Sequence, residues 1–184
     1  SGGSINIDAS LEHITTGYRS LGAAGLSVLT DYKYFGGSDC DISLARKLND
    51  IPVLRKEFII NEYQVIESKA IGADAILLIA AVLNRKMVRD LAYLGRSLGL
   101  EVMLEIHVES ELSMLNEFIT MAGVNNRNLS TLEVDITNSL KLIGKIPEGF
   151  TKVSESGLDS PDVVKDLKNA GFDGFRIGEH FMKN

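Results

Sequence analysis

The sequence lacks the features of a membrane-spanning, disulfide-stabilised or zinc-binding protein. Its one cysteine, Cys40, cannot form an intrachain disulfide, and no CxxC or His/Cys cluster suggests zinc. We therefore expect an inert thiol in a reducing compartment. No apolar run approaches the roughly 20 residues of a membrane span, and the N-terminus has neither a basic start nor an apolar core. The chain is predicted to be cytoplasmic, without a membrane partner.

Positive charge is also scarce. The 184 residues carry a formal net charge of −6, with a sequence pI of about 5.1, so attraction for nucleic acid is weak. Hydrophobic residues make up 45% and charged residues 24%, the balance of a globular protein with one sizeable core. We predict a single domain over residues 1–184, with SGG at 1–3 as a linker, and a small-molecule partner.

A repeated order of helix, glycine and apolar strand predicts βα units. Gly22, Gly72, Gly99 and Gly171 each stand where a helix would end, and an apolar run follows each of them. Continuous apolar runs are typical of parallel strands that are covered on both faces. The predicted strands lie near residues 26–30, 52–56, 75–80, 101–107, 122–126, 150–155 and 174–178.

This alternation allows a doubly wound sheet or a (β/α)8 barrel. A doubly wound sheet of the dinucleotide-binding type would require G-x-G-x-x-G after its first strand, and no such run is present. A TIM-type (β/α)8 barrel is therefore favoured. Only seven strands are predicted, and residues 10–21 are predicted to be helical. We therefore expect an incomplete or rearranged barrel whose first strand is missing.

Polar residues at the predicted strand ends are the candidates for function, because barrel sites form there. Lys56 ends the second strand and Glu105 lies near the end of the fourth. A shielded lysine beside a carboxylate would serve as a general acid and base, and a structural ion pair is the alternative. The other polar strand-end residues are Asn125, Arg127, Glu155 and Ser156.

Three further features are open to two interpretations each. Gly157 and Gly178 follow the last two strands, where many barrels bind phosphate, although either alone would be an ordinary turn. In YFGGS, Phe35 would cover an apolar ligand or anchor its loop. His107 and His13 are expected to be structural or solvated rather than catalytic.

Seven segments together resemble the indole-3-glycerol phosphate synthase family of tryptophan biosynthesis. They run in order from about residue 5 to the end: GLSVLTDYKYFGGS, PVLRKEFIINEYQ, GADAILLIA, LEVMLEIH, GVNNRNLSTLEVD, KVSESG and GFRIGE. The resemblance implies a (β/α)8 carboxy-lyase. Its reaction closes the ring of 1-(2-carboxyphenylamino)-1-deoxyribulose 5-phosphate with loss of carbon dioxide and water. No metal or organic cofactor is expected.

The resemblance also implies roles for individual residues. Lys56 would be the general acid that protonates the ketone oxygen, and Glu105 would be the acid/base partner in dehydration. The implied substrate contacts are Asn125, Arg127, Glu155 and Ser156, with an apolar wall of Phe35, Phe58 and Leu78. The implied phosphate-binding residues are Gly157, Gly178 and Glu179.

The family's first strand carries a glutamate and a second catalytic lysine that we do not find. Loss of one such group commonly costs ~10²–10⁴ in rate, so we expect impaired activity. Exposed strand edges predict self-association. A deliberate fragment, a truncated gene product, or a strand supplied by another molecule would each explain the missing strand. A non-catalytic, self-associating scaffold with a phosphate site is the alternative. Arg176 replaces a usually apolar residue, and it would either pair with a nearby carboxylate such as Glu155 or be solvated in an opened barrel.

Overall fold

The structure is a computed structural model, and it describes residues 10–178. Its strands are β1 Leu26–Leu29, β2 Val53–Lys56, β3 Ala75–Ile79, β4 Glu101–Ile106, β5 Met121–Asn125, β6 Thr151–Glu155 and β7 Gly174–Arg176. Its α-helices are α1 Leu11–Ser20, α2 Tyr32–Phe35, α3 Asp39–Leu48, α4 Glu62–Ala70, α5 Arg85–Ser97, α6 Thr137–Leu142 and α7 Pro161–Ala170. Short 3₁₀ segments lie at Ala80–Val82, Glu109–Met114 and Ile143–Lys145. All seven predicted strands are therefore confirmed.

The strands follow sequence order, β1 to β7, in one sheet. Strand β1 pairs in parallel with β2, and β2 with β3. Strands β4 to β7 also pair in parallel, each with the next along the chain. The register places Asn125 beside Glu155, and Glu155 beside Arg176. Parallel neighbours bring their carboxyl ends to the same edge, so predicted site residues on adjacent strands become neighbours.

The described residues divide into two compact units. The first unit comprises residues 10–78 and 90–102, and the second comprises residues 79–89 and 103–178. In the first unit, residues 75–78 of β3 are all buried, as expected for a strand covered on both faces. In the second, Leu104, Ala122 and Val124 are fully buried on neighbouring strands. The prediction of a single domain stays a prediction.

The predicted helix-ending glycines are confirmed by their backbone conformation. Gly22, Gly72, Gly99 and Gly171 all have positive φ angles, between 73° and 112°. This left-handed conformation is easily reached only without a side chain, and it lets the chain leave the helix toward the next strand. Several helices also begin at side-chain caps, such as Ser160 before Pro161 in α7.

Two sequence-based expectations concern features outside the strands. Within residues 10–178, no helix is both long enough and apolar enough to cross a membrane. Cys40 is exposed and not disulfide-bonded. The predicted linker at residues 1–3 and the predicted phosphate-binding residue Glu179 lie outside the described residues.

Candidate active site

Three adjacent charged residues at the end of β2 have different surroundings. Successive side chains of a strand point to opposite faces, so Arg55 and Lys56 face opposite sides of β2. The Arg55 side chain is only 3% exposed, whereas Lys56 and Glu57 are half-buried. The sequence predicted a functional role for Lys56 but gave no reason to expect a buried Arg55.

Arg55 ties the end of β2 to the helices beside it. Its guanidinium donates to the Asp39 carboxylate of α3 at 2.6 Å and to the Glu67 carboxylate of α4 at 2.9 Å. It also donates to the Thr30 hydroxyl at 3.2 Å. That hydroxyl donates to Glu57 at 2.8 Å, so a continuous network encloses the strand end that carries Lys56.

Aromatic rings surround the Lys56 side of this strand end. The ammonium of Lys56 lies over the Phe35 ring, 5.6 Å from its centroid. Phe58 packs edge-on against Tyr34, with ring centroids 6.2 Å apart. The loop that carries Phe35 is tight, because a Cβ at Gly37 would overlap the carbonyl of Leu29. The first unit therefore brings three predicted residues, Lys56, Phe35 and Phe58, into one aromatic and cationic surface.

Leu78, the remaining predicted member of the apolar wall, is fully buried in β3. Its burial agrees with an apolar role. Its contact with substrate stays a prediction.

In the second unit, Asn125 connects several predicted site residues. Its amide nitrogen donates to Oε1 of Glu105 at 2.9 Å, and Glu105 is only 2% exposed. Its amide oxygen accepts from the Ser156 hydroxyl at 2.8 Å and from the Arg127 backbone N–H at 2.9 Å. Asn125 thereby fixes a carboxylate at one end and a strand-end loop at the other.

Arg176 on β7 pairs with both buried carboxylates of this unit. Its guanidinium donates to Glu155 and, at 3.1 Å, to Oε2 of Glu105. Burial lowers the pKa of Arg176, and the nearby Glu105 carboxylate partly offsets that effect. The predicted pairing with Glu155 is confirmed, and the pairing with Glu105 was not foreseen.

His107 also lies beside Glu105. Its Nε2 is 3.2 Å from Oε1 of Glu105, and its Nδ1 is 3.8 Å from the Glu111 carboxylate. Neither ring nitrogen makes a well-aligned hydrogen bond. The sequence gave this lone histidine little weight. His107 stands two residues after Glu105, on the same side of an extended chain. That spacing was a signal that could have marked it as a candidate site residue.

The loop after β6 makes a sharp turn. Ser156 and Gly157 have consecutive positive φ angles of 67° and 72°. The Asn126 amide donates to the Ser156 carbonyl at 3.0 Å and supports the turn. A Cβ at Gly157 would lie 2.6 Å from the Val134 side chain, so a larger residue does not fit. A strained turn at a strand end is typical of a functional site.

The remaining predicted residues of this unit lie at its rim. The Arg127 side chain donates to the Leu132 carbonyl at 3.2 Å, and its backbone bridges to Val134 across the loop that follows β5. Gly178 is exposed, and a Cβ there would meet nothing within 4 Å. Their contacts with substrate and phosphate stay predictions.

The second unit therefore gathers Glu105, Asn125, Glu155 and Ser156, with the backbone of Arg127. Lys56 belongs to the other unit, so the predicted acid/base pair of Lys56 with Glu105 stays a prediction. Among residues 10–178, no group of three or more His, Cys, Asp or Glu side chains could hold a metal ion.

Parallel strands in sequence order, with polar side chains at their carboxyl ends, define the class of (β/α)8-barrel proteins. Comparison with solved structures supports this class. The chain is similar to 3-hexulose-6-phosphate synthase from Salmonella typhimurium, with a TM-score of 0.75 and 14% identity, covering 96% of this chain and 88% of that one. A tryptophan synthase α-subunit from Pyrococcus furiosus gives a TM-score of 0.63 and 17% identity, covering 79% and 63%. At these identities the likeness shows the fold alone.

Sequence comparison identifies the family. The model of indole-3-glycerol phosphate synthase matches residues 1–184. An indole-3-glycerol phosphate synthase of Bacteroides thetaiotaomicron is 52% identical over 181 residues, which are 98% of this chain and 70% of that protein. The enzyme of Polaromonas naphthalenivorans is 45% identical over 171 residues, covering 92% of this chain and 65% of that protein. The chain belongs to the indole-3-glycerol phosphate synthase family.

Proposed function

We propose that the chain converts 1-(2-carboxyphenylamino)-1-deoxyribulose 5-phosphate into indole-3-glycerol phosphate, carbon dioxide and water. The observation that supports this most is Glu105, a buried carboxylate held by Asn125 and Arg176 at the end of β4. A carboxylate that is buried and fixed is suited to proton transfer. Family membership supplies the reaction to which that carboxylate is assigned.

Lys56 is proposed as the general acid of ring closure. A new carbon–carbon bond forms at the ring carbon that bears the carboxylate, and the ketone oxygen takes a proton from Lys56. The Phe35 ring lies beneath its ammonium, and this cation–π contact helps to hold the Lys56 side chain in place. Carbon dioxide then leaves, and the aromatic ring is restored.

Glu105 is proposed as the acid/base group of dehydration, in which the hydroxyl formed by ring closure leaves as water. Asn125 donates to Oε1 of Glu105, so the carboxylate is oriented before substrate binds. Such preorganisation avoids the cost of turning the group during the reaction. No metal or organic cofactor is proposed.

The proposed substrate contacts are the residues that match the family motifs. Phe35, Phe58 and Leu78 would contact the aromatic ring of the substrate, and Asn125, Arg127, Glu155 and Ser156 would contact its polar groups. The Ser156–Gly157 turn is proposed to bind phosphate through backbone N–H groups. Gly178 and Glu179 are proposed to complete the phosphate site.

The test is a direct assay of indole-3-glycerol phosphate formation by the 184-residue chain. We expect Lys56→Ala and Glu105→Gln each to reduce turnover by ~10²–10⁴, the usual contribution of a general acid or base. Lys145→Ala is the matched control, because Lys145 forms an exposed ion pair with Glu109. Turnover that persists in Lys56→Ala would contradict the assignment of the acid. Phosphate binding without turnover in the wild-type chain would favour a non-catalytic scaffold.

Self-association is proposed as a second property. In β1, Ser27 and Leu29 are exposed, so one face of this strand is uncovered, unlike β3. An uncovered face of a strand is open to packing against another molecule. A light-scattering mass equal to the monomer at micromolar concentration would contradict this proposal. Cytoplasmic location is likewise proposed, and fractionation of the producing cells tests it.

A further inference from the structure

Two carboxylates are buried side by side in the second unit. Glu105 is 2% exposed and Glu155 is fully buried. Neighbouring carboxylates away from water repel each other, and without a cation one of them would take up a proton. Arg176 is the cation between them, because its guanidinium donates to both.

We propose that Arg176 is a positioning residue of the reaction, which keeps Glu105 and Glu155 ionised and holds the Glu105 carboxylate in its working orientation. This inference rests on the proposed function, since Arg176 would position Glu105, the proposed acid/base group. Arg176 is not assigned any contact with substrate.

The geometry supports this role in two ways. Each carboxylate oxygen of Glu105 has a donor, because Oε1 accepts from Asn125 at 2.9 Å and Oε2 accepts from Arg176 at 3.1 Å. Two donors on opposite oxygens fix the plane of a carboxylate more firmly than one donor does. The strand register also places Arg176 directly beside Glu155, so the backbone itself sets the pair.

The backbone of β5 leaves room for this cluster. A Cβ at Gly123 would overlap Oε1 of Glu155 and the end of Met103. An alanine at position 123 would therefore push against the Glu155 side chain that pairs with Arg176.

The charged groups that face Glu105 in this unit come from several elements. His107 lies on the same chain segment, Glu155 faces it from β6 and Arg176 from β7. Asn125 of β5 is neutral, and Glu111 lies beyond His107. Arg176 pairs with both carboxylates of this set, so its removal takes one positive charge away from each of them.

The first test measures the titration of Glu105 directly. Protein labelled with ¹³C at the glutamate carboxyl carbons is titrated by NMR, and the Glu105 signal is identified by its loss in Glu105→Gln. Removing an opposite charge at this distance raises the titration midpoint of a carboxyl group by about 1–3 pH units. Arg176→Gln should therefore raise the Glu105 midpoint by that amount. Arg176→Lys retains the charge and should restore most of the wild-type midpoint.

Arg89→Gln is the matched control. Arg89 pairs with Glu117 at 2.7 Å in the same unit, but both side chains are more than half exposed. This variant removes the same charge and should leave the Glu105 midpoint unchanged.

The second test is kinetic. The acidic limb of kcat/KM should move to higher pH in Arg176→Gln in parallel with the NMR midpoint, while a merely structural residue would lower activity without moving the limb. If the wild-type chain has no turnover, the proposed function fails and the NMR titration alone decides the inference. If turnover is present and the midpoint moves by less than about 0.5 unit, well below the expected shift, the inference is overturned and the function stands.

A further variant keeps the inference testable if Arg176→Gln does not fold. In Glu155→Gln, the Arg176 guanidinium has Glu105 as its one carboxylate partner of the two, and the negative charge of Glu155 no longer repels Glu105. The Glu105 midpoint should then move to lower pH. An unchanged or raised midpoint would overturn the inference.

Discussion

Replacing Arg55 with methionine should destabilise the first unit severely. The side chain is 3% exposed, and its guanidinium makes five hydrogen bonds. Methionine retains much of the apolar stem but satisfies none of these partners. Two of the bonds are also ion pairs, with Asp39 and Glu67.

The magnitude follows from how much water reaches the partners. Breaking a fully buried ion pair costs about 3–5 kcal/mol. Asp39 is 41% and Glu67 is 26% exposed, so both recover part of their hydration. We therefore expect a loss of about 2–4 kcal/mol in the free energy of unfolding.

Urea unfolding followed by far-UV circular dichroism measures this loss. Arg19→Met is the control, because Arg19 forms an ion pair with Asp50 in which both side chains are about half or more exposed. Exposed pairs contribute at most about 1 kcal/mol. A loss below about 1 kcal/mol for Arg55→Met, equal to that of an exposed pair, would refute the account of Arg55 as the residue that fixes the end of β2.

Three further predictions concern other parts of the chain. Gly123→Ala should cost about 1–3 kcal/mol in urea unfolding through overpacking, and it should lower turnover because the new Cβ displaces Glu155; unchanged stability and turnover would contradict this. Gly157→Ala should weaken binding of inorganic phosphate in calorimetry, because its φ is 72°; equal affinity would argue against a phosphate site there. The hydrogen bond from Arg19 lowers the pKa of Asp50 to about 2. The pair therefore stabilises the fold at pH values above the usual carboxyl pKa, and this stabilisation is lost as the pH falls through about 2. Asp50→Asn should therefore lower the melting temperature at neutral pH and match the wild type near pH 2, and an equal difference at both pH values would refute it.

The sequence predicted the strands well because apolar runs and helix-ending glycines are local signals. AILLI is buried from end to end, and the glycine before it has the left-handed conformation that its position predicted. Lys56, Glu105 and Asn125 could be proposed as site residues because they stand at strand ends within family motifs. These signals require no knowledge of which residues meet in space.

The residues that the sequence missed act through distant partners. Arg55 stands in a run of three charges, and only its contacts with α3 and α4 distinguish it from a surface residue. Gly123 resembles any small residue in an apolar strand, since the need for glycine arises from Glu155 on β6. Arg176 was recognised as unusual and correctly paired with Glu155, but its contact with Glu105 spans 71 positions of sequence. Strand register supplies what local patterns cannot.

The most direct test of the proposed chemistry is release of labelled carbon dioxide. The substrate is labelled in its carboxyl group, and trapped carbon dioxide is compared with indole-3-glycerol phosphate formed by the 184-residue chain. We predict equal molar amounts of the two products, and a parallel loss of both in Lys56→Ala. Bound substrate without carbon dioxide release, or carbon dioxide release that does not depend on Lys56, would contradict the account.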